Sequence, residues 1–391
     1  MNQLHDAVVV AYGRSAVAKS GKKGALRSAH PVDYAGQVLD GVLNKIPQLA
    51  RDQIEDLIVG CAKPEGVQGF NMARVIAFRA GLGWDVPGQT VNRFCASGLQ
   101  AISTAANMIM TGQAEIIAAG GVESMTAIPM GSDPSFRDKW VEEHEPGAYL
   151  PMGITAENVA DRYHISRQEM DAFAVESHRK AAAAQASGKF DDEIIPVDGV
   201  DLDGNPIVFD KDQGIRPDTN LETLAGLKPA FREGGSVTAG QSSQTSDGAG
   251  FVLFMSREKA EKLGVRPLAR FVAFAVAGVD PSVMGIGPIK AVPMAMKLAG
   301  LTPEDMDVIE LNEAFAAQAI PCIRELGLPA DRVNVNGGAV ALGHPLGATG
   351  AILTCKALSE LERRQGRYAL VSMCVGGGMG AAGIFERISQ N

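Results

Sequence analysis

Two stretches, TVNRFCASGLQAISTAANMI at residues 90–109 and VNVNGGAVALGHPLGATGAILTCKAL at residues 333–358, follow one plan. Each leads from an extended run through small residues into a helix. Their neighbours repeat as well: QIEDLIVGCA (53–62) is echoed by EDMDVIELNEA (304–314), and AEIIAAGGVES (114–124) by RYALVSMCVGGGMG (367–380). Three echoes in one order, about 250 residues apart, imply two copies of one unit with a period far too long for a solenoid. Two copies related by a pseudo-twofold bring equivalent elements together. Cys95 and His344 occupy equivalent helix starts, so they are expected to meet.

The unit itself is α/β. Apolar AVVVAY (7–12), helical VDYAGQVLDGVLNKI (32–46) and apolar DLIVGCA (56–62) alternate as strands and helices do in layered proteins. From about residue 123 to 247 the character changes, beginning with an irregular Pro- and Gly-rich excursion. SRQEMDAFAVESHRKAAAAQASGKF (166–190) follows as a helix, with Ser166 and Glu169 forming a capping box and Gly188 at the stop. DEIIPVDGVDLDGNPIVFD then reads as short strands turning at DGN. The expected organisation is a first domain of residues 1–122 and 248–270, an inserted loop domain of 123–247, and a second domain of 271–391.

Composition excludes several classes. With 46% hydrophobic and 21% charged residues, the 391-residue chain can bury a large interior. Aromatics are scarce at 5% while glycine numbers 45, which favours close backbone packing over aromatic-lined surfaces. A net charge of −9 argues against nucleic acid as the main partner. The five cysteines are odd in number and lack a CxxC pair, so neither a disulfide framework nor a zinc site is expected, and a reducing compartment fits. No apolar run is long enough for a membrane span. The N-terminus moves straight into DAVVVAYG, leaving no room for a signal peptide, so the expected location is the cytoplasm.

Four side chains carry chemistry. Cys95 alone reads as a buried thiol, the commoner fate of a single cysteine. Its place at a helix start changes the odds, because the positive helix end favours thiolate and exposed backbone N–H groups there could hold an oxyanion. His344 is one of six histidines and is ringed by Gly337, Gly338, Gly343 and Gly347, which let another segment or a ligand come close. A histidine beside a thiol activates it by taking its proton. Cys374 ends a strand at a glycine cluster and reads either as a core residue or as a second thiol at the same cleft; from Gly376 onward the backbone could offer N–H donors. Asn312 ends a strand and begins a helix, where it could be an N-cap, and Glu313 reads as a helix-terminal charge or an orienting group. Two thiols, a histidine and an asparagine at element ends suggest acyl transfer through a thioester.

These residues stand in motifs that resemble one family. VNRFCASGLQA, YLPMGITAENVA (149–160), SVTAGQSSQTSDGAG (236–250), MGIGPIKA (284–291), LNEAFAAQ, NGGAVALGHPLGATGA and CVGGGMGAA together are similar to the thiolase family, in family order across essentially the whole chain. PMGxTAE, SSQxSDG and NEAFAAQAIPCIRELGL resemble the degradative 3-ketoacyl-CoA thiolases, or acetyl-CoA acyltransferases, most.

The resemblance implies a five-layer α-β-α-β-α fold, built from two duplicated domains plus the inserted loop domain, which would bind CoA and the acyl chain. It implies thiolytic cleavage of 3-ketoacyl-CoA by CoA in fatty-acid β-oxidation. Cys95 would be the acylated nucleophile, His344 would take its proton, and Cys374 would move protons on the leaving acetyl-CoA carbanion and the incoming CoA thiol. Asn312, through a water, would pair with His344 in one oxyanion hole, and the N–H groups of Cys95 and Gly376 would form the second. Ser243 matches a contact to the pantetheine arm, and Met152 the acyl pocket. No metal or redox cofactor is implied, since CoA is a substrate that supplies the reactive sulfur. A homodimer or dimer of dimers follows from the family, and a hydratase/dehydrogenase partner is possible.

The chain departs from the pattern at AYGRSAVAKSGKKG, where many members have an Arg-Thr-Pro turn, at Gln241 in place of Asn and at Lys290 in place of Pro. For the CoA phosphates, Arg216, Lys228 and Arg232 are candidates, though each also reads as solvated surface charge. The alternatives are a biosynthetic acetoacetyl-CoA thiolase, a non-catalytic lipid-binding relative, and a decarboxylating ketoacyl synthase, which would carry a second histidine at the Cys374 position.

Overall fold

The computed structural model describes residues 4–131 and 134–389. The first half begins with β1 (Ala7–Arg14), β2 (Ala18–Lys19), α1 (Pro31–Asn44), β3 (Asp56–Gly60), α2 (Met72–Arg79), β4 (Gly88–Val91), α3 (Ser97–Met110) and β5 (Ile116–Ser124). The segment that follows holds α4 (Lys139–His144), α5 (Met152–Arg162), α6 (Arg167–Ala186), the hairpin β6 (Val197–Val200) and β7 (Pro206–Phe209), and α7 (Leu221–Ala225). β8 (Ser246–Ser256) returns to the first half and α8 (Arg257–Leu263) leaves it. The second half comprises β9 (Ala269–Gly278), α9 (Gly287–Ala299), β10 (Met306–Leu311), α10 (Ala316–Glu325), α11 (Ala339–Leu342), α12 (Leu346–Arg364), β11 (Tyr368–Val375) and β12 (Met379–Arg387).

Among the described residues the main sheet runs β4-β3-β5-β8-β1-β9-β12-β11-β10, with β2 beside β8. That order is its own mirror image. β1, β8, β5 and β3 on one side of the centre match β9, β12, β11 and β10 on the other, and the β4 position is filled opposite by a parallel bridge of Val333 to Ile309. The halves meet through two antiparallel residue pairs, Val8 with Arg270 and Val9 with Ala269.

The strand sequences explain the layering. β5 and β8 are buried at every position, as strands covered on both faces must be. α1 and α2 cover the outer face of the first half-sheet, and α9 covers that of the second. α3 and α12 lie between the half-sheets, and α12 touches strands of both. It is accordingly buried at every residue from 347 to 361. The result is the expected five layers, α-β-α-β-α.

Glycine sets how closely these layers approach. A methyl group on Gly60 of β3 would lie 2.2 Å from the Ser97 carbonyl carbon at the start of α3. One on Gly121 of β5 would lie 2.2 Å from the Gly347 oxygen at the start of α12. The inserted segment is tied down by Arg14 of β1, which is wholly buried and donates to both Asp212 oxygens (2.8 and 2.9 Å) and to Glu193 (2.8 Å). α6 forms the capping box of Ser166 and Glu169 that its sequence announces.

Candidate active site

The chain enters α3 through a strained turn. Phe94 adopts φ 42°, a left-handed conformation costly for a bulky side chain, and its neighbours brace it. Asn92 Oδ1 accepts the Phe94 N–H at 2.8 Å, and the Ser97 hydroxyl donates to the Phe94 carbonyl at 2.7 Å. Cys95 is the middle residue of a 3₁₀ turn over Phe94–Ala96 that leads into α3 at Ser97. The Gly376 N–H and the N–H of Cys95 itself both point at its sulfur.

Gly376 is available because β11 and β12 are joined by the tight turn Gly376-Gly377-Gly378, whose last two residues have φ of 77° and 81°. Cys374 sits on β11 one residue before the end of the strand at Val375, paired with Gly380. Burial and then a charge on Cys95 oppose ionisation of Cys374, and β11 packs against the turn that carries Cys95. A methyl on Gly376 would touch the Phe94 ring at 3.6 Å and Met152 Sδ at 3.8 Å. Met152, first residue of α5, packs on the apolar cluster that contains Cys374, Phe315 and Met284.

His344 lies at the approach to α12 and is buried. Its Nδ1 meets the Thr349 hydroxyl at 2.6 Å, its Nε2 faces the Asn312 amide nitrogen at 3.4 Å, and its backbone N–H donates to Gln244 O at 3.0 Å. Asn312 is not the helix cap its position suggested. α10 begins at Ala316 with Phe315 as its cap, so Asn312 directly follows β10 instead, its N–H on Ser372 O and its buried Oδ1 without a partner among the described residues. The run 242–245 stitches the two groups of residues together. Ser242 bridges Phe315, the Ser243 N–H donates to Ala314 O at 2.9 Å, and Thr245 bridges His344. The structure thus gathers Cys95, Cys374, Gly376 and Met152, and sets Asn312 against His344, while Ser243 is half-buried with its N–H on Ala314 O.

Burial governs the protonation states. It pushes the Cys95 thiol up to about 11 despite the Gly376 N–H, so the helix end does not produce a resting thiolate. Cys374 is raised further by burial and by Cys95. Burial lowers His344 to about 4, leaving a neutral imidazole ready to accept a proton.

Other expectations resolve as follows. Glu313 is an orienting group, accepting from Ser177 (2.6 Å), Asn334 (2.9 Å) and the Val340 N–H (3.2 Å) to hold the loop that leads to His344. Gln241 turns its amide onto buried Asp171 of α6. Arg232 is paired with Asp161 at 2.8 Å, while Arg216 and Lys228 stay exposed. Sequence reasoning passed over Thr349 and the fully buried Glu123. For Glu123 the available signal was a charge inside the otherwise apolar strand IIAAGGVES.

A buried thiol under two N–H donors, a second thiol, and a neutral histidine facing an amide are the equipment of an acyl-transferring enzyme, and the chain is an acyltransferase. The thiolase N-terminal domain family matches residues 7–258 and the thiolase C-terminal domain family residues 265–387. The chain is 50% identical over 391 residues to the 3-ketoacyl-CoA thiolase of Bacillus subtilis (strain 168), covering 98% of this chain and 100% of that protein. The solved Bacillus anthracis acetyl-CoA acetyltransferase superposes with a TM-score of 0.91 at 40% identity, covering 99% of this chain and 100% of that one. Human mitochondrial 3-ketoacyl-CoA thiolase gives the same TM-score, 0.91, at 37% identity with the same coverage, 99% and 100%. The chain belongs to the thiolase family.

Proposed function

We propose that this protein cleaves 3-ketoacyl-CoA with CoA, giving acetyl-CoA and a shortened acyl-CoA, as a step of fatty-acid β-oxidation. The observation that carries the reading is the convergence of the Cys95 and Gly376 N–H groups on a thiol beside Cys374. In this reading neutral His344 takes the Cys95 proton and the sulfur attacks the 3-keto carbon. The two N–H groups receive the oxyanion. The bond between C2 and C3 breaks, Cys374 gives its proton to the acetyl-CoA carbanion, and an acyl group stays on Cys95. The Cys374 thiolate then takes the proton of the incoming CoA thiol, whose sulfur attacks the thioester. As the acyl-CoA leaves, Cys95 recovers its proton from His344. Asn312 and His344 hold the enolate oxygen, Ser243 the pantetheine arm, and Met152 the acyl chain.

CoA is a substrate in this scheme, and no metal or redox group takes part. The assembly proposed is a homodimer or a dimer of dimers. β4 ends the sheet with an open edge, and Phe70, Trp84 and Phe94 stand exposed nearby in sequence, a surface a second copy could cover. Docking to a hydratase/dehydrogenase and a cytoplasmic location belong to the same proposal. No helix among the described residues is long and apolar enough to cross a membrane.

A second reading is favoured by the identity figures of the solved structures, 40% to an acetyl-CoA acetyltransferase against 37% to a 3-ketoacyl-CoA thiolase. It is the biosynthetic condensation of two acetyl-CoA units. A chain-length series of 3-ketoacyl-CoA substrates decides between them. Turnover of six-carbon and longer substrates supports the degradative reading, and turnover of the four-carbon substrate alone overturns it.

A further inference from the structure

The starts of α3 and α12 are equivalent in the two halves, yet they are finished differently. Neither has a side-chain cap of its own, since Ala96 and Pro345 hold the capping positions. At α3 the first turn follows directly on the 3₁₀ turn that holds Cys95. At α12 the first turn is occupied by a carboxylate from the other half of the molecule.

Glu123, near the end of β5, has no exposed surface. Its Oε2 accepts the Gly347 N–H at 2.8 Å and the Ala62 N–H at 2.8 Å, and its Oε1 accepts Gln68 Nε2 at 2.8 Å. A methyl group on Gly347 would lie 2.7 Å from Glu123 Oε2 and 2.6 Å from the Ala62 nitrogen, so the fit requires glycine there. The start of α12 is therefore pinned to the first half by one buried anion at a positive helix end. Gly347 stands three residues after His344, and Thr349, which meets the imidazole Nδ1, lies in the same turn.

We propose that Glu123 is a positioning residue for His344: through the Gly347 N–H it fixes where α12 begins, and with it where the imidazole stands relative to Cys95. The proposal rests on the reading of Cys95 as the acylated nucleophile. A carboxylate that merely glued the halves would affect stability alone. Glu123 also carries its charge close enough to Cys95 to oppose ionisation of that thiol, which gives a readout independent of stability. The titratable groups facing Cys95 are Cys374 from β11, Glu123 from β5 and, in the reading proposed above, His344 at the approach to α12. Glu123 is itself faced by Cys61 beyond β3 and by Tyr34 of α1, whose hydroxyl donates to the Glu123 carbonyl at 2.8 Å and is also near Asp247 of β8.

The test uses the full chain with Glu123→Gln. The amide leaves an NH2 facing a donor and removes the charge. The expected kcat falls on the order of 100-fold, as for a catalytic group displaced by about an ångström, with KM for both substrates within about threefold. At the same time the pH midpoint of Cys95 alkylation by iodoacetamide moves to lower pH. Glu123→Asp keeps the charge but shortens the reach, so kcat falls while the midpoint stays. A kcat within about threefold of wild type in folded Glu123→Gln overturns the proposal, as does an unmoved alkylation midpoint. If Glu123→Gln does not fold, Gln68→Met removes the donor that orients Oε1, and an unchanged kcat there overturns the proposal equally. An acyl adduct surviving Cys95→Ser would sink the parent reading instead, so the two failures are told apart by intact mass.

Discussion

The Thr349 hydroxyl meets Nδ1 of His344 at 2.6 Å, while Nε2 on the other side of the ring faces the Asn312 amide nitrogen at 3.4 Å. With the amide nitrogen donating, as the Asn312 side chain is oriented, Nε2 would present its lone pair and the ring proton would sit on Nδ1, donated to Thr349. That is the tautomer a base at Nε2 needs. Thr349→Val removes the acceptor, and the expected loss in kcat is about tenfold, equivalent to one hydrogen bond of ~1.4 kcal/mol. Steady-state kinetics check it, and an unchanged kcat would show that the tautomer is held by something else.

Cys95→Ser abolishes the covalent acyl-enzyme seen by intact mass after incubation with acyl-CoA. The N–H groups that converge on the sulfur remain in the variant, so the change isolates the nucleophile. An adduct persisting on another residue would remove Cys95 from the mechanism.

Cys374→Ala still accepts an acyl group on Cys95 from an acyl-CoA, where no carbanion has to be protonated, but cuts turnover of 3-ketoacyl-CoA by about 10²–10⁴, the range for loss of a general acid–base group. A burst of acyl-enzyme without onward turnover is the expected trace in rapid-quench kinetics. Unchanged turnover of 3-ketoacyl-CoA would remove Cys374 from the acid–base role.

Burial holds the Cys95 thiol up at about 11 and the His344 imidazole down at about 4. The thiolate fraction of the resting enzyme therefore keeps rising across the whole neutral and mildly alkaline range. Inactivation by iodoacetamide is expected to climb by about tenfold per pH unit through pH 9, because thiolate is the reacting form. A plateau near pH 8.5, where an ordinary cysteine ionises, would contradict the burial argument.

Lys356 and Glu310 form an ion pair at 3.3 Å with both side chains sealed inside, and Glu310 Oε2 has no partner among the described residues. Lys356→Met strands the carboxylate and should cost about 3–5 kcal/mol in urea unfolding, whereas adding Glu310→Leu recovers most of it. The pH sign follows from burial lifting the Glu310 carboxyl from 4.5 to about 7. A carboxyl that holds its proton more tightly folded than unfolded contributes its stability in full below the unfolded value. That contribution is lost as pH climbs through the folded one. The single variant should therefore be more stable at pH 5 than at pH 8.

The internal echo made the layered fold readable, because equivalent strands and helices keep their small residues wherever backbones touch. Gly60 and Gly347 are such contacts, each facing backbone atoms with no room for a side chain. The same echo put Cys95 and His344 at matching helix starts. Three particulars were not legible. Whether the helix end or burial wins at Cys95 depends on how deeply the thiol is sealed, a tertiary quantity that no local pattern records. Asn312 resembles a cap because it follows a strand and precedes a helical pattern, yet α10 starts four residues later and frees its amide for the site. Glu123 was passed over because its donors come from residues 61, 62, 68 and 347, which no local pattern brings together.

The order of strands also dictates a timetable. β1 is made first, yet both of its neighbours in the sheet, β8 and β9, lie beyond residue 245. During synthesis the slot between β1 and β5 stands vacant while the whole inserted segment emerges, so the first half cannot close before it. Late, long-range pairing of this kind slows folding and leaves strand edges uncovered on the nascent chain. The inserted segment therefore sets when the ribosome-bound polypeptide can first become a native half.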